Sequence, residues 1–217
     1  MPSVAAQIGG YIVLAAAVAA MAIGAAGIFS RRLTSVVIYS GVVQGGYLAL
    51  GLAAGLLTAD RAGFHAAVFQ ALAGGAGVGL MWLAARALVS VAGDTAPLAP
   101  DAAPAAWAVF SFVLACMSLA GLPPLAGLPA KVAIIHAGLR APGVLFLATL
   151  GAAALGAVTL WAYGVIALPL IGNKVTTAPA SARVPVRVLV DALVAVLILL
   201  GVVPYVGFAI AGAIGGR

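Results

Sequence analysis

Ser118-Leu-Ala-Gly-Leu-Pro-Pro-Leu-Ala-Gly-Leu-Pro-Ala-Lys131 is the stretch on which the reading of this chain turns. Pro123, Pro124 and Pro129, with Gly121 and Gly127, interrupt an otherwise apolar run, and Lys131 follows with no acidic neighbour in sequence. Irregular backbone is tolerated at membrane depth only where protein or a water-filled cavity receives its free polar groups, and a lysine there marks a functional site by default. The sequence on either side reads as the housing for this break.

That the break lies in a membrane follows from composition. Hydrophobic residues make up 65% of the 217-residue chain and charged residues 6%, against roughly 25% charged in soluble domains. The mean hydropathy is +1.28. Several apolar runs are long enough to cross a hydrocarbon core about 30 Å thick as helices of about 20 residues. The expected fold is all-α, a polytopic transmembrane helical bundle of about seven helices forming one domain over residues 1–217. The absence of alternating polar residues excludes a β-barrel. The net charge of +6 is scattered singly over loops and helix ends, so it points to topology and anionic headgroups and gives no reason to expect nucleic acid. Cys116 is the only cysteine, which rules out an intrachain disulfide and leaves a packing role. The first apolar run has no basic segment before it and is too long for a signal-peptide core, so it is expected to remain as a membrane helix.

From the break outward, helix four is expected over about 105–120 and helix five over about 129–139, ended by Arg140-Ala-Pro-Gly. Upstream, helix one covers 9–29 and closes at Ser30-Arg31-Arg32. Helix two covers about 34–57, and helix three about 63–91 after Asp60-Arg61. A polar loop spans 93–104. Downstream, helix six covers about 144–170, a basic loop with Lys174, Arg183 and Arg187 covers 172–187, and helix seven covers about 188–211. Gly41 and Gly45, four apart, give one face of helix two the small residues that let a neighbouring helix approach. On the same helix Tyr39, Ser40 and Gln44 read either as packing or as the lining of a wet path. Basic residues on alternate sides leave the orientation open.

Pro129 suits the first position of a helix, which puts Lys131 in a first turn. An amine there faces the positive end of its own helix, and burial also works against its charged form. A lysine so placed can take and release a proton; the alternative is a lysine snorkelling to headgroups. His136, five residues on, falls on a different face but extends a path if water is present. His65 is a further candidate relay member or an interfacial residue. Arg187 and Asp191 have the spacing of a helical ion pair and are expected to form one. The chain has no nucleotide fingerprint, haem pair or Cys/His cluster, so no cofactor or metal is expected.

The segment from Ser118 through Pro123-Pro124 to Lys131 resembles the signature of the antiporter-like, proton-conducting membrane subunits of respiratory complex I, membrane-bound hydrogenases and Mrp-type cation/proton antiporters. Tyr39-Ser40, Gln44 and Gly46-Tyr47 resemble that family's Ala-Tyr-Ser-Ser-x-Ser-His/Gln-x-Gly-Tyr segment, and Phe64 to Leu80 the helix after it. The resemblance implies that the chain corresponds to the C-terminal half of such a subunit and that Lys131 is the lysine of the outer half-channel. The chain departs from the pattern in having no glutamate, Arg32 and Thr34 where an acid and a lysine are common, and Phe69 and Ala73 where a basic residue is common.

The resemblance implies a shortened subunit in the membrane arm of an ion-translocating redox complex, NADH dehydrogenase-like or hydrogenase-like, or of an Mrp-type complex. Its relay residues would be Lys131, His136, His65, Gln44 and Tyr39, around a helix break made by Pro123, Pro124, Gly127 and Pro129. Catalysis would reside in other subunits. The implied partners are other membrane-arm subunits in a hetero-oligomer, with lipid around them, in a prokaryotic inner membrane. The rival reading is a structural subunit that has lost transport and scaffolds its neighbours. A homodimer in which two halves imitate the two repeats is a third.

Overall fold

The computed structural model describes residues 2–30, 32–94, 104–141, 143–172 and 184–214. Arg31, most of the polar loop (95–103), and Lys174, Arg183 and Arg217 lie outside the described residues. The fold is a polytopic helical bundle, with eight helices and no strand among the described residues. They are α1 (Val4–Ile28), α2 (Leu33–Thr58), α3 (Arg61–Ala92), α4 (Ala106–Ala120), α5 (Gly127–Leu139), α6 (Val144–Gly172), α7 (Val184–Val202) and α8 (Pro204–Ile214). Of these, α1, α2, α3, α6 and α7 are long and apolar enough to cross a membrane, while α4, α5 and α8 are shorter. The protein is an integral membrane protein.

Helix starts follow from local chemistry. Ser3 Oγ accepts the Ala6 N–H of α1 at 3.2 Å, and Asp60 Oδ1 accepts the Ala62 N–H of α3 at 2.9 Å. Each satisfies one of the four donors that a helix start leaves free. The first residue before α2, Arg32, offers no such cap. Asp94, just past the end of α3, supplies it instead: Oδ1 accepts the Thr34 N–H at 2.8 Å and the Thr34 hydroxyl at 2.9 Å, and Oδ2 accepts Arg32 Nε at 3.0 Å. The Thr34 N–H is the main reason the Asp94 carboxyl is held below the usual carboxylate range, with the Thr34 hydroxyl and the Arg32 guanidinium adding to it.

Glycines set the spacing of α1, α2 and α3. Gly46 lies against Met21 and the Ala17 carbonyl of α1, Gly51 against Ala67, and Gly55 against Phe64 and Gly63 of α3. A side chain at any of these would meet a neighbour directly, so the backbones approach as small residues allow. Gly41 and Gly45 do not serve this purpose. The nearest atom to a Cβ at Gly41 is 3.7 Å away, on Val78, and a Cβ at Gly45 meets nothing within 4 Å. A shared face permits close approach but does not say which neighbour, if any, uses it.

Two other expectations are corrected. The single helix expected over 188–211 is divided at Val203 into α7 and α8. Pro204 has no N–H to continue the ladder and disfavours the α conformation in the residue before it, yet suits the first turn of a new helix. Arg187 and Asp191 form no ion pair; among the described residues the salt bridge present is Arg32–Asp94. Both side chains are exposed, the basic residue comes first, which is the weaker order at this spacing, and exposed pairs of this kind gain only about 0.3–0.5 kcal/mol.

Candidate functional site

The break between α4 and α5 is a closed piece of hydrogen-bond accounting. Gly121, at φ 91°, ends α4 in the left-handed region. Its N–H donates to Ser118 O at 3.0 Å, and the Leu122 N–H donates to Met117 O at 2.9 Å. This paired ending satisfies two of the final carbonyls of α4 and leaves those of Leu119 and Ala120. Lys131 takes both, donating from Nζ to Leu119 O at 2.5 Å and to Ala120 O at 3.1 Å. Across the break, the Ala126 N–H donates to Leu197 O of α7 at 2.9 Å. Protein therefore receives the freed backbone, as the membrane interior requires.

Lys131 is 6% exposed. It reaches inward because Gly127, Ala130, Lys131, Ile134, Ala137 and Gly138 form the buried stripe of α5. Gly127 has no room for a side chain, since a Cβ there would strike the Ser118 carbonyl. Gly201 of α7 lies equally close to the backbone of Pro124 and Leu125. Reading α5 alone put the amine at a positive helix end; the structure also brings it to the negative end of α4. The ammonium stands 4.7 Å from the centre of the Tyr47 ring, within cation–π reach.

Two buried amides adjoin the break. Gln44 Nε2 donates to Leu119 O at 3.4 Å, and Gln70 Nε2 donates to Gln44 Oε1 at 2.8 Å. Leu119 O is thus shared by Lys131 and Gln44, and a continuous polar path runs from Lys131 to Gln70. Two buried oxygens, Gln70 Oε1 at the end of this path and Ser118 Oγ on the residue before Leu119, have no hydrogen-bond partner. Tyr163 donates to Ser40 Oγ at 2.8 Å, Ser40 donates to Val36 O at 2.6 Å, and Tyr47 donates to Ala152 O at 2.7 Å.

Of the residues singled out in sequence, the structure joins Gln44 to Lys131 and leaves the others elsewhere. His65 and His136 line one open groove of about 410 Å³ with Pro129, Val132, Ala133 and Phe208. Lys131 is not among its lining residues, and neither imidazole hydrogen-bonds to it. The ring of Tyr39 lies on Gly27 of α1, a helix-packing position. Gln70 is the partner that sequence reasoning passed over. Its signal was the same as that of Gln44, an amide inside an apolar helix. Arg32 and Thr34, the two departures from the family pattern near the start of α2, both hold Asp94.

The family described as NADH:quinone oxidoreductase/Mrp antiporter, TM, matches residues 1–156. No curated protein matches the chain in sequence. Among solved structures, a chain of the Mrp complex from Dietzia sp. DQ12-45-1b is similar with a TM-score of 0.74 and 18% identity, covering 95% of this chain and 46% of that one. A chain of the membrane-bound sulfane sulfur reductase, an archaeal respiratory membrane complex, gives 0.68 and 23%, covering 88% and 32%. A chain of respiratory complex I from Thermus thermophilus gives 0.65 and 20%, covering 97% and 45%. The chain thus spans less than half the length of these relatives. With the sequence match covering most of its length and the same fold in all three, the chain belongs to the antiporter-like NADH:quinone oxidoreductase/Mrp antiporter transmembrane family.

Proposed function

We propose that this protein is an antiporter-like subunit in the membrane arm of an ion-translocating complex and contributes a proton half-channel through Lys131. The observation that carries the reading is the setting of its amine. Lys131 is enclosed by the bundle, bound to the two carbonyls that the helix break leaves over, and one step from the Gln44–Gln70 pair. The unpartnered Gln70 Oε1, at the far end of that pair, and Ser118 Oγ, on the residue before Leu119, offer acceptor positions for water along the path. The amine exchanges its proton with such water, while the carbonyls keep it in place between exchanges. His65 and His136, across α5 from Lys131, form the outer part of the path where their groove opens.

The chain carries no cofactor motif, so the driving energy comes from partner subunits. Moving one charge against 100 mV takes about 2.3 kcal/mol. The relatives belong to multi-subunit membrane complexes, which supports membrane-arm partners, a hetero-oligomer and a prokaryotic inner or plasma membrane for this chain. A second reading, a scaffold that has lost transport, draws on the same contacts, because Lys131 also completes the end of α4.

Water access separates the two. In a Cys116→Ser background, Lys131→Cys is treated with a small membrane-impermeant thiol reagent from each side of sealed vesicles. A half-channel gives labelling from one side only. No labelling from either side, with the protein assembled, contradicts the half-channel and leaves the scaffold.

A further inference from the structure

At the opposite end of α3 from His65, Thr34, Val37 and Ile38 of α2 and Trp82, Ala85, Arg86, Val89 and Ser90 of α3 bound a groove of about 380 Å³. Its floor is aliphatic. Its polar groups are the Arg86 guanidinium, the Trp82 indole N–H and the hydroxyls of Thr34 and Ser90. The Ser90 hydroxyl donates to Ala87 O, and the Thr34 hydroxyl donates to Asp94. Arg86 is exposed, its guanidinium lies 5.0 Å over the Trp82 ring, and no carboxylate among the described residues pairs with it. The carboxylate next to the groove among the described residues, Asp94, is already held by Thr34 and Arg32.

Depth identifies the occupant. The 32 residues of α3 make a helix about 48 Å long. Centred on a hydrocarbon core of about 30 Å, it leaves about 9 Å beyond the core at each end. Arg86 lies about 9 Å before the Ala92 end, at the level where acyl chains meet phosphates. Trp82 lies one turn deeper, where aromatic rings anchor helices at the interface.

We propose that this groove binds an anionic phospholipid, with an acyl chain along Val37, Ile38, Ala85 and Val89 and the phosphate on Arg86. The cation–π contact with Trp82 holds the guanidinium at the rim of the groove and leaves its N–H groups for phosphate oxygens, the bidentate geometry at which arginine excels. The site stands apart from Lys131, and its occupancy does not depend on proton transfer there.

The test is native mass spectrometry of the full chain, in whatever complex it is extracted with, titrated with phosphatidylglycerol, phosphatidylcholine of the same chains, or glycerol phosphate. Phosphatidylglycerol is expected to bind about tenfold more tightly than phosphatidylcholine, whose phosphate is already compensated by its own quaternary ammonium and so makes the weaker contact with Arg86. Arg86→Gln is expected to abolish that preference, and Arg61→Gln, at the other end of α3, to leave it intact. Ile38→Trp, which fills the groove from an exposed position, is expected to weaken binding with Arg86 present and so covers the case in which Arg86→Gln fails to fold. Equal binding of the two lipids, a preference that survives Arg86→Gln, undiminished binding in Ile38→Trp, or glycerol phosphate binding as tightly as the lipid would overturn the proposal.

Discussion

Breaking the amide pair beside the helix break has a cost that can be worked out from its geometry. Gln44→Leu removes the acceptor of Gln70 Nε2 and the donor at 3.4 Å from Leu119 O. Leu119 O keeps Lys131. Gln70 keeps nothing, because its own Oε1 is already unpartnered and the side chain is 2% exposed. A buried amide left unsatisfied costs about 1–3 kcal/mol, while interhelical hydrogen bonds measured in a membrane protein reach about 1.7 kcal/mol at most. Gln44→Leu is therefore expected to destabilise by about 1–2 kcal/mol. Adding Gln70→Leu removes the orphan and restores most of that loss, since replacing both partners by apolar groups of similar shape is nearly neutral. The assay is reversible unfolding in mixed micelles for wild type, both single variants and the double variant. A coupling energy below about 0.5 kcal/mol, the level at which distant sites add, would refute the reasoning.

Gly121→Ala places a side chain at φ 91° and 3.3 Å from Lys131 Cδ, and is expected to cost at least about 1–2 kcal/mol in thermal unfolding. Gly45→Ala, helical with open space around it, is expected to be neutral or stabilising in the same measurement. Gly127→Ala, which would drive a methyl into the Ser118 carbonyl, is expected to prevent accumulation of folded protein, read by fluorescence-detected gel filtration. The Asp94 clasp makes stability depend on pH. Its carboxyl is lower in the folded state than in the unfolded chain, so its contribution is fully present above the ordinary carboxylate range and is lost as pH falls through the folded value. Asp94→Asn is expected to flatten that acid-side decline in a melting-temperature profile, and an unchanged profile would contradict the clasp.

The long helices were legible because their apolar runs are long, with Pro169 falling only in the last turn of α6, and the α4–α5 break because proline and glycine leave no other local solution. The division of α7 from α8 rested on Pro204 alone, and an apolar run on both sides of it hid the interruption. Lys131 was legible as a buried amine, but its partners were not. The carbonyls of Leu119 and Ala120 are freed by the ending at Gly121, and no residue identity reports which backbone oxygens a helix end leaves over. The Gln44–Gln70 pair and the Thr34–Asp94 clasp join residues far apart in sequence, so each required the packing of α2 on α3 to be known first. His65 and His136 were legible as candidates, but that they share one groove on the face of α5 opposite the amine required the packing of α3 and α5 to be known.

The central claim is that the Lys131 amine takes and releases the transported proton. Proton or sodium movement by the purified native complex in liposomes tests it most directly, comparing wild type with Lys131→Ala and Lys131→Arg after assembly is verified. The guanidinium of Lys131→Arg keeps a charge and several donors for the α4 carbonyls but does not give up its proton. Loss of translocation in both variants, with the complex intact, is the predicted result. Retention of translocation in Lys131→Arg would contradict the relay and make Lys131 a cap for the end of α4.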